Sequence, residues 1–339
     1  MSSWHIPVIT PSDFIRIPYT PDLTEGGIAY ACHSLVHSYN RMAGSPLERL
    51  RRMVAGVVVE LALRRYLGEQ AVPFKVFGTT PFSDPDHYDV SLGGHRCYLK
   101  SDLITRRRQI SLIRKNPALF MDAHALIPVD QFAAEGHSSQ DIYLFAFLLA
   151  LTTASMEDLQ KAIKADQPVH LIQLLPERWA RPTQWQPLQS LALKSECERS
   201  ITVEIGGLDA GRNFVTTCLD LPPHERIPVT NALYSVAYIH IKRSPEARLG
   251  IHSPTHGEAY IIQAHEWGNI WVYGMDIWLT GWLTHEEYRR KASVLPAGNR
   301  TFQYDRTRAK NLAVPMADLN PLGGLFERIR QWVATRAGI

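Results

Sequence analysis

Cysteine is scarce in this chain: four occur among 339 residues, at Cys32, Cys97, Cys197 and Cys218. They lie far apart and make no Cys-x-x-Cys pair, which argues against a zinc site and predicts reduced core thiols. Long apolar runs are missing as well. The stretch from Ile142 to Leu151 falls well short of the ~20 residues needed to cross a bilayer, so no transmembrane helix is expected. Met1 to Pro7 holds no basic segment followed by an apolar one, and a cytoplasmic location is the expectation. Neither sign of charge dominates. A net charge of +3 argues for no partner, because a polyanion is bound by local patches that a whole-chain sum hides. The chain also lacks tandem repeats, low-complexity runs and a Gly-rich phosphate loop, and neither Ser138 nor Ser253 stands in a nucleophile elbow.

What is present is the composition of a folded protein: 45% hydrophobic and 20% charged residues, with 8 Trp, 13 Tyr and 11 Phe. Prolines at 7, 11, 18 and 21 make residues 1–25 an extended arm. From Gly26 the period is helical, with Ile28, Cys32, Val36 and Tyr39 on one face. Ser45 and Pro46 are placed as N-cap and first residue of a second helix, Leu47 to Leu67, which Gly68 ends. Tyr88 to Leu92, Gly93-Gly94 and His95 to Lys100 read as a hairpin with a two-residue turn. Another strand is expected at Ile142 to Leu149 and a helix near Ser155. A boundary falls in the Pro- and Trp-rich stretch from Pro168 to Pro187. Residues 168–266 then form a β-rich domain with turn signals at Gly206-Gly207, Pro222-Pro223 and Ser253-Pro254, inserted into a core made of 26–167 and 267–339. The tail from Thr284 holds a short helix and then an amphipathic one, Leu322 to Val333.

The hairpin carries the chemistry. With Gly93-Gly94 at the turn, Val90 faces Cys97 and Asp89 faces Tyr98. Strand alternation then projects Asp89, Tyr98, Lys100 and Asp102 from one face and turns Cys97 to the other. Upstream, Glu60 sits among Val57, Val58, Val59, Leu61 and Leu63, where a carboxylate is costly unless it is paired or holds a metal. Helix-borne Glu60, then Tyr88-Asp89-Val90, a tight turn and Tyr98-Leu99-Lys100-Ser101 resemble the core of the PD-(D/E)XK nuclease superfamily, in particular its restriction-endonuclease-like members. Asp141 to Phe147 looks like the next core strand, and segments about Trp271, Gly281 and Leu295 look like C-terminal elements.

The resemblance implies an α/β fold, a restriction-endonuclease-like mixed sheet flanked by helices. It implies Mg²⁺- or Mn²⁺-dependent hydrolysis of DNA phosphodiesters, in a restriction, defence or mobile-element context. Glu60, Asp89 and Lys100 would be catalytic, and Glu60, Asp89, the Leu99 carbonyl and Asp102 would hold the metal. Tyr98 stands where the family has Asp or Glu, and a phenol is a poor ligand for a hard cation. Three explanations are open: Asp102 supplies the missing charge, Glu60 and Asp89 suffice, or the protein is an inactive relative acting as a DNA-binding or scaffolding subunit. Arg106, Arg107, Arg108, Arg114 and Lys115 follow the motif strand and would contact the phosphate backbone. A homodimer or a protein partner is compatible with such enzymes; no membrane partner is expected.

Blander readings stand beside these. Asp89 and Lys100 could be a cross-strand ion pair, Glu60 could pair with Arg64 four residues on, and the arginine run could be a solvated face. Trp267, Trp271, Trp278 and Trp282 read as core. His252, His256 and His265 with Glu258 and Glu266 match no ligand spacing, and a carbohydrate- or peptide-binding β-domain with a merely structural hairpin is the third functional reading.

Overall fold

The computed structural model describes residues 8–38, 45–76, 90–134, 136–152, 155–167, 169–271 and 273–337. It is a mixed α/β structure. The chain opens with a single 3-10 turn, then β1 (Ile15–Ile17), α1 (Pro21–Ser38), α2 (Pro46–Glu69), β2 (Phe74–Lys75), β3 (Val90–Leu92) and β4 (His95–Ile104). There follow α3 (Arg107–Lys115), β5 (His124–Pro128), α4 (Val129–Phe132), β6 (Ile142–Leu151), α5 (Met156–Lys164), β7 (Leu171–Leu174), α6 (Glu177–Ala180) and β8 (Ala192–Ser195). Next come β9 (Ile201–Leu208), β10 (Phe214–Leu221), β11 (Arg226–Pro228), β12 (Ser235–Ile241), β13 (Leu249–His252), β14 (Tyr260–Ile262) and β15 (Gly268–Asn269). The last elements are β16 (Tyr273–Thr284), α7 (His285–Lys291), β17 (Ser293–Leu295), β18 (Asn311–Pro315) and α8 (Leu322–Ala337).

Two compact units divide the chain. Unit 1 is 1–27, 52–150 and 274–339; unit 2 is 28–51 and 151–273. The sequence places the ends of the β-rich segment at 168 and 266, whereas the change of unit falls at Ala150/Leu151 and Tyr273/Gly274, and parts of α1 and α2 also belong to unit 2.

Unit 1 holds a six-stranded sheet in the order β1-β16-β6-β4-β3-β2. Its hairpin has the register read from the sequence: Leu92 opposite His95, Ser91 opposite Arg96 and Val90 opposite Cys97. Gly93 and Gly94 both have positive φ, 60° and 92°, as a two-residue primed turn requires and as side-chain-bearing residues rarely adopt. β4 runs on to Ile104 and pairs with β6 in parallel, Tyr98 with Tyr143, Lys100 with Phe145 and Asp102 with Phe147. All ten residues of β6 are buried, which is why that strand reads as an unbroken apolar run and not as an alternation. The N-terminal arm is not simply extended: β1 pairs antiparallel with β16 at the sheet edge, and α1 starts at Pro21, where a first-turn proline already has helical φ.

Ser45 caps α2 through its hydroxyl, which accepts from the Glu48 N–H at 3.3 Å, while Glu48 accepts from the Ser45 N–H at 3.2 Å. Gly68 does not end this helix. It lies within the last turn, and Ala71, at φ 50°, takes the left-handed conformation just beyond. A three-stranded sheet, β17-β18-β5, completes unit 1, and Thr284 begins α7 with a capping box closed by Glu287.

Unit 2 has a five-stranded sheet, β10-β9-β12-β7-β15, and a four-stranded one, β11-β8-β13-β14. Leu171, Val203, Ile205 and Ile239 of the first share one apolar core with Leu193, Leu249, Ile251 and Ile262 of the second, and Trp179 of α6 closes it. Gly206-Gly207 is not a turn but part of β9. A Cβ on Gly206 would overlap the Tyr238 ring, and one on Gly207 would overlap the Ser235 carbonyl, beside a register shift between Val236 and Tyr238. The two glycines admit a neighbouring strand; they do not reverse the chain. Cys97 and Cys197 are buried, as core thiols should be, but Cys218 is exposed on the outer face of the edge strand β10.

Candidate functional site

The motif strand β4 positions the site. Alternation puts Tyr98, Lys100 and Asp102 on one of its faces; Cys97, fully buried, points to the other. Asp89 lies outside the described residues, so its pairing with Tyr98 does too.

Each acid and base of the motif that is described has a partner inside the protein. Glu60 forms an ion pair with Arg64, one helical turn on. The Lys100 ammonium donates to Gln131 Oε1 at 3.1 Å and lies 6.0 Å from the centre of the Tyr98 ring. Leu99 sits opposite Leu144 in the parallel ladder. Asp102 is gripped from both sides: the Tyr304 hydroxyl donates to Oδ1 at 2.6 Å and Gln303 Nε2 to Oδ2 at 3.0 Å. Burial pushes its carboxyl pKa up to about 6, and those two hydrogen bonds oppose the rise without cancelling it.

Tyr98 is built into an aromatic cluster. Its ring centre is 5.0 Å from His137 and 5.7 Å from Tyr143, while Phe132 stacks on His285 at 4.4 Å. The Tyr143 hydroxyl and His285 Nδ1 are 3.0 Å apart. Burial raises the pKa of the Tyr143 phenol and lowers that of the His285 imidazole, which favours the neutral form of each. Beside them Asp141, 3% exposed, accepts from Arg96 Nε at 3.2 Å and from the Ser138 N–H at 2.9 Å. The sequence gives no motif for this group. Only the parallel register, which sets Tyr143 beside Tyr98, could have pointed to it.

The expected metal ligands that are described are each engaged within the protein. Glu60 is occupied by a guanidinium, Asp102 is capped by a phenol and an amide and holds its proton to about pH 6, and Tyr98 is a phenol packed among rings. Among the described residues no group of three or more His, Cys, Asp or Glu is placed to hold a metal ion, and that includes the histidines of residues 252–265.

The basic segment is the helix α3, which follows β4 directly. Arg107, Arg108, Arg114 and Lys115 are exposed, whereas Ile110 and Ile113 are buried. Arg106, at the N-cap, is tied to Asp305 and to Gln109 Oε1. Arg114 Nε donates at 2.5 Å to the buried Asp276, which also pairs with Arg16. Of the five expected phosphate contacts, Arg107, Arg108 and Lys115 are exposed on the outward side of the helix, and Arg106 and Arg114 are tied to acids of the unit. The tryptophans are core: Trp271 is fully buried and Trp282 is 4% exposed, its indole N–H donating to the Pro321 carbonyl at 3.0 Å. No helix among the described residues is long and apolar enough to cross a membrane. Compared with family models, curated proteins and solved structures, the chain matches none.

Proposed function

We propose that the protein binds DNA through unit 1 and that its nuclease-like motif strand serves binding and not cleavage. The observation that supports this is the cationic face of α3, with Arg107, Arg108 and Lys115 exposed immediately beyond the strand that carries Lys100. Such a face neutralises backbone phosphates and needs no metal. The fate of the motif acids agrees with it. Tyr98 packs among aromatic rings, and Asp102 is closed off by Tyr304 and Gln303.

Fluorescence anisotropy with a labelled DNA duplex tests this reading. The double variant Arg107→Gln/Arg108→Gln is expected to weaken binding at low salt and to reduce the slope of log affinity against log salt by about 1 for each contact removed. Unchanged affinity and slope would remove α3 from the interface.

A second reading is Mg²⁺- or Mn²⁺-dependent DNA cleavage in restriction, defence or mobile-element biology. The placement of Lys100 and Asp102 on one face of a hairpin strand favours it. Its test is nicking of plasmid DNA in the presence of either ion. Nicking that Lys100→Ala and Asp89→Ala both abolish would replace the first reading with this one.

A further inference from the structure

The four-stranded sheet of unit 2 turns its other face to solvent. Along β13 the residues alternate: Leu249 and Ile251 are buried in the core, while Gly250 and His252 lie on the outer side. The register aligns one row across all four strands, Arg226 on β11, Lys194 on β8, Gly250 on β13 and Ile261 on β14. Gly250 leaves this row without a side chain at its centre, and a hollow of about 110 Å³ opens there. Its rim is cationic. Lys194, Arg226 and Arg248 line it, against one acid, Glu196.

That acid is already neutralised. Arg248 Nε donates to Glu196 Oε2 at 2.6 Å and Nη2 to Oε1 at 3.0 Å, a two-point pairing that fixes the guanidinium and holds the Glu196 carboxyl below its usual pKa. Among the described residues neither Lys194 nor Arg226 has a carboxylate within ion-pair distance, and both are exposed. The hollow thus carries three cations against a single acid, around a floor from which side-chain bulk is missing.

We infer that this hollow receives a phosphate group of a nucleic-acid backbone lying across the outer face of the four-stranded sheet. Size and charge select the occupant together. A volume of about 110 Å³ admits a phosphate but is far below the ~300 Å³ at which pockets begin to enclose a whole small molecule, so the group must project from something larger. Lysine and arginine flank it as point charge and planar donor, the pair that phosphate recognition uses. The exposed Ile261 at the end of the row offers an apolar contact for a sugar or base. This surface belongs to unit 2 and the inference does not rest on the DNA reading of unit 1.

Binding of a labelled oligothymidine and of a labelled duplex to the full chain, followed by anisotropy over a range of salt, tests the inference. Lys194→Gln/Arg226→Gln is expected to lower affinity for one or both probes roughly tenfold or more at low salt and to reduce the salt slope by about 2. Gly250→Val, which fills the hollow and leaves the charge unchanged, is expected to weaken binding as well; a Cβ there meets only the flexible tip of Ile261, at 3.1 Å. Circular dichroism establishes that each variant is folded. Binding lost in the sheet variants but kept in Arg107→Gln/Arg108→Gln sustains this inference and removes α3. The opposite pattern overturns the inference and leaves α3 standing. Loss of both nucleic-acid probes at low salt, with retention on phosphatidylserine vesicles or an acidic peptide that depends on Lys194 and Arg226, overturns the nucleic-acid occupant.

Discussion

At Asp102 the carboxyl group keeps its proton in the folded chain up to about pH 6, against an ordinary value of 3.8. Between those two values the native state binds more protons than the unfolded one. The stabilising contribution is therefore complete below about pH 4 and is lost as pH rises through about 6. A rise of about two pH units corresponds to roughly 3 kcal/mol at most. Asp102→Asn has no proton to lose. Its melting temperature is expected to stay level over that interval while that of the unchanged protein declines, and parallel curves for the two proteins would refute the buried-carboxyl account. Sequence alone does place Asp102 on the face of Lys100, since alternation along a strand suffices for that. It cannot show that Tyr304 and Gln303, two hundred residues downstream, close over the carboxylate. A hydrogen bond across that separation leaves no local pattern.

Among the elements, strands with a period of their own were legible and those defined by their neighbours were not. The turn of β3 and β4 and the register of Val90 to Leu92 are legible because Gly93-Gly94 fixes both, although β4 runs four residues past Lys100. The fully buried β6 was visible as an apolar run between loops. By contrast β7, β8 and β13, four residues each, are too short to display an alternation; β7 is held by the longer β12, and β8 and β13 by each other and by the three-residue strands beside them. The glycine pair of β9 misled for a related reason: the same dipeptide that favours a turn also permits close approach of a neighbour, and only the position of Tyr238 decides between the two. Gly206→Ala is accordingly expected to destabilise unit 2 by about 1–3 kcal/mol, since the added methyl overlaps a fixed aromatic ring. Chemical denaturation measures it. A change within a few tenths of a kcal/mol would mean that the ring moves aside freely.

For the whole molecule, two compact units imply two cooperative transitions and not one. Calorimetry of the intact chain is expected to resolve them, with Gly206→Ala shifting the transition of unit 2 and leaving the other in place. A single transition that moves as a whole would show that the units melt together. The longer of the two excursions into unit 2, 151–273, follows from a local arrangement in unit 1. The His285 N–H donates to the Asp141 carbonyl at 2.8 Å and Thr280 Oγ1 to the Phe145 carbonyl at 3.1 Å, so β6 and β16, adjacent in the sheet, run in opposite directions. The chain therefore departs from the sheet after Ala150 and returns at Gly274 on neighbouring strands at the same end. A host sheet of this kind can accept a graft of any length between two of its strands without giving up a ladder hydrogen bond, which makes this junction a natural point for exchanging one guest module for another.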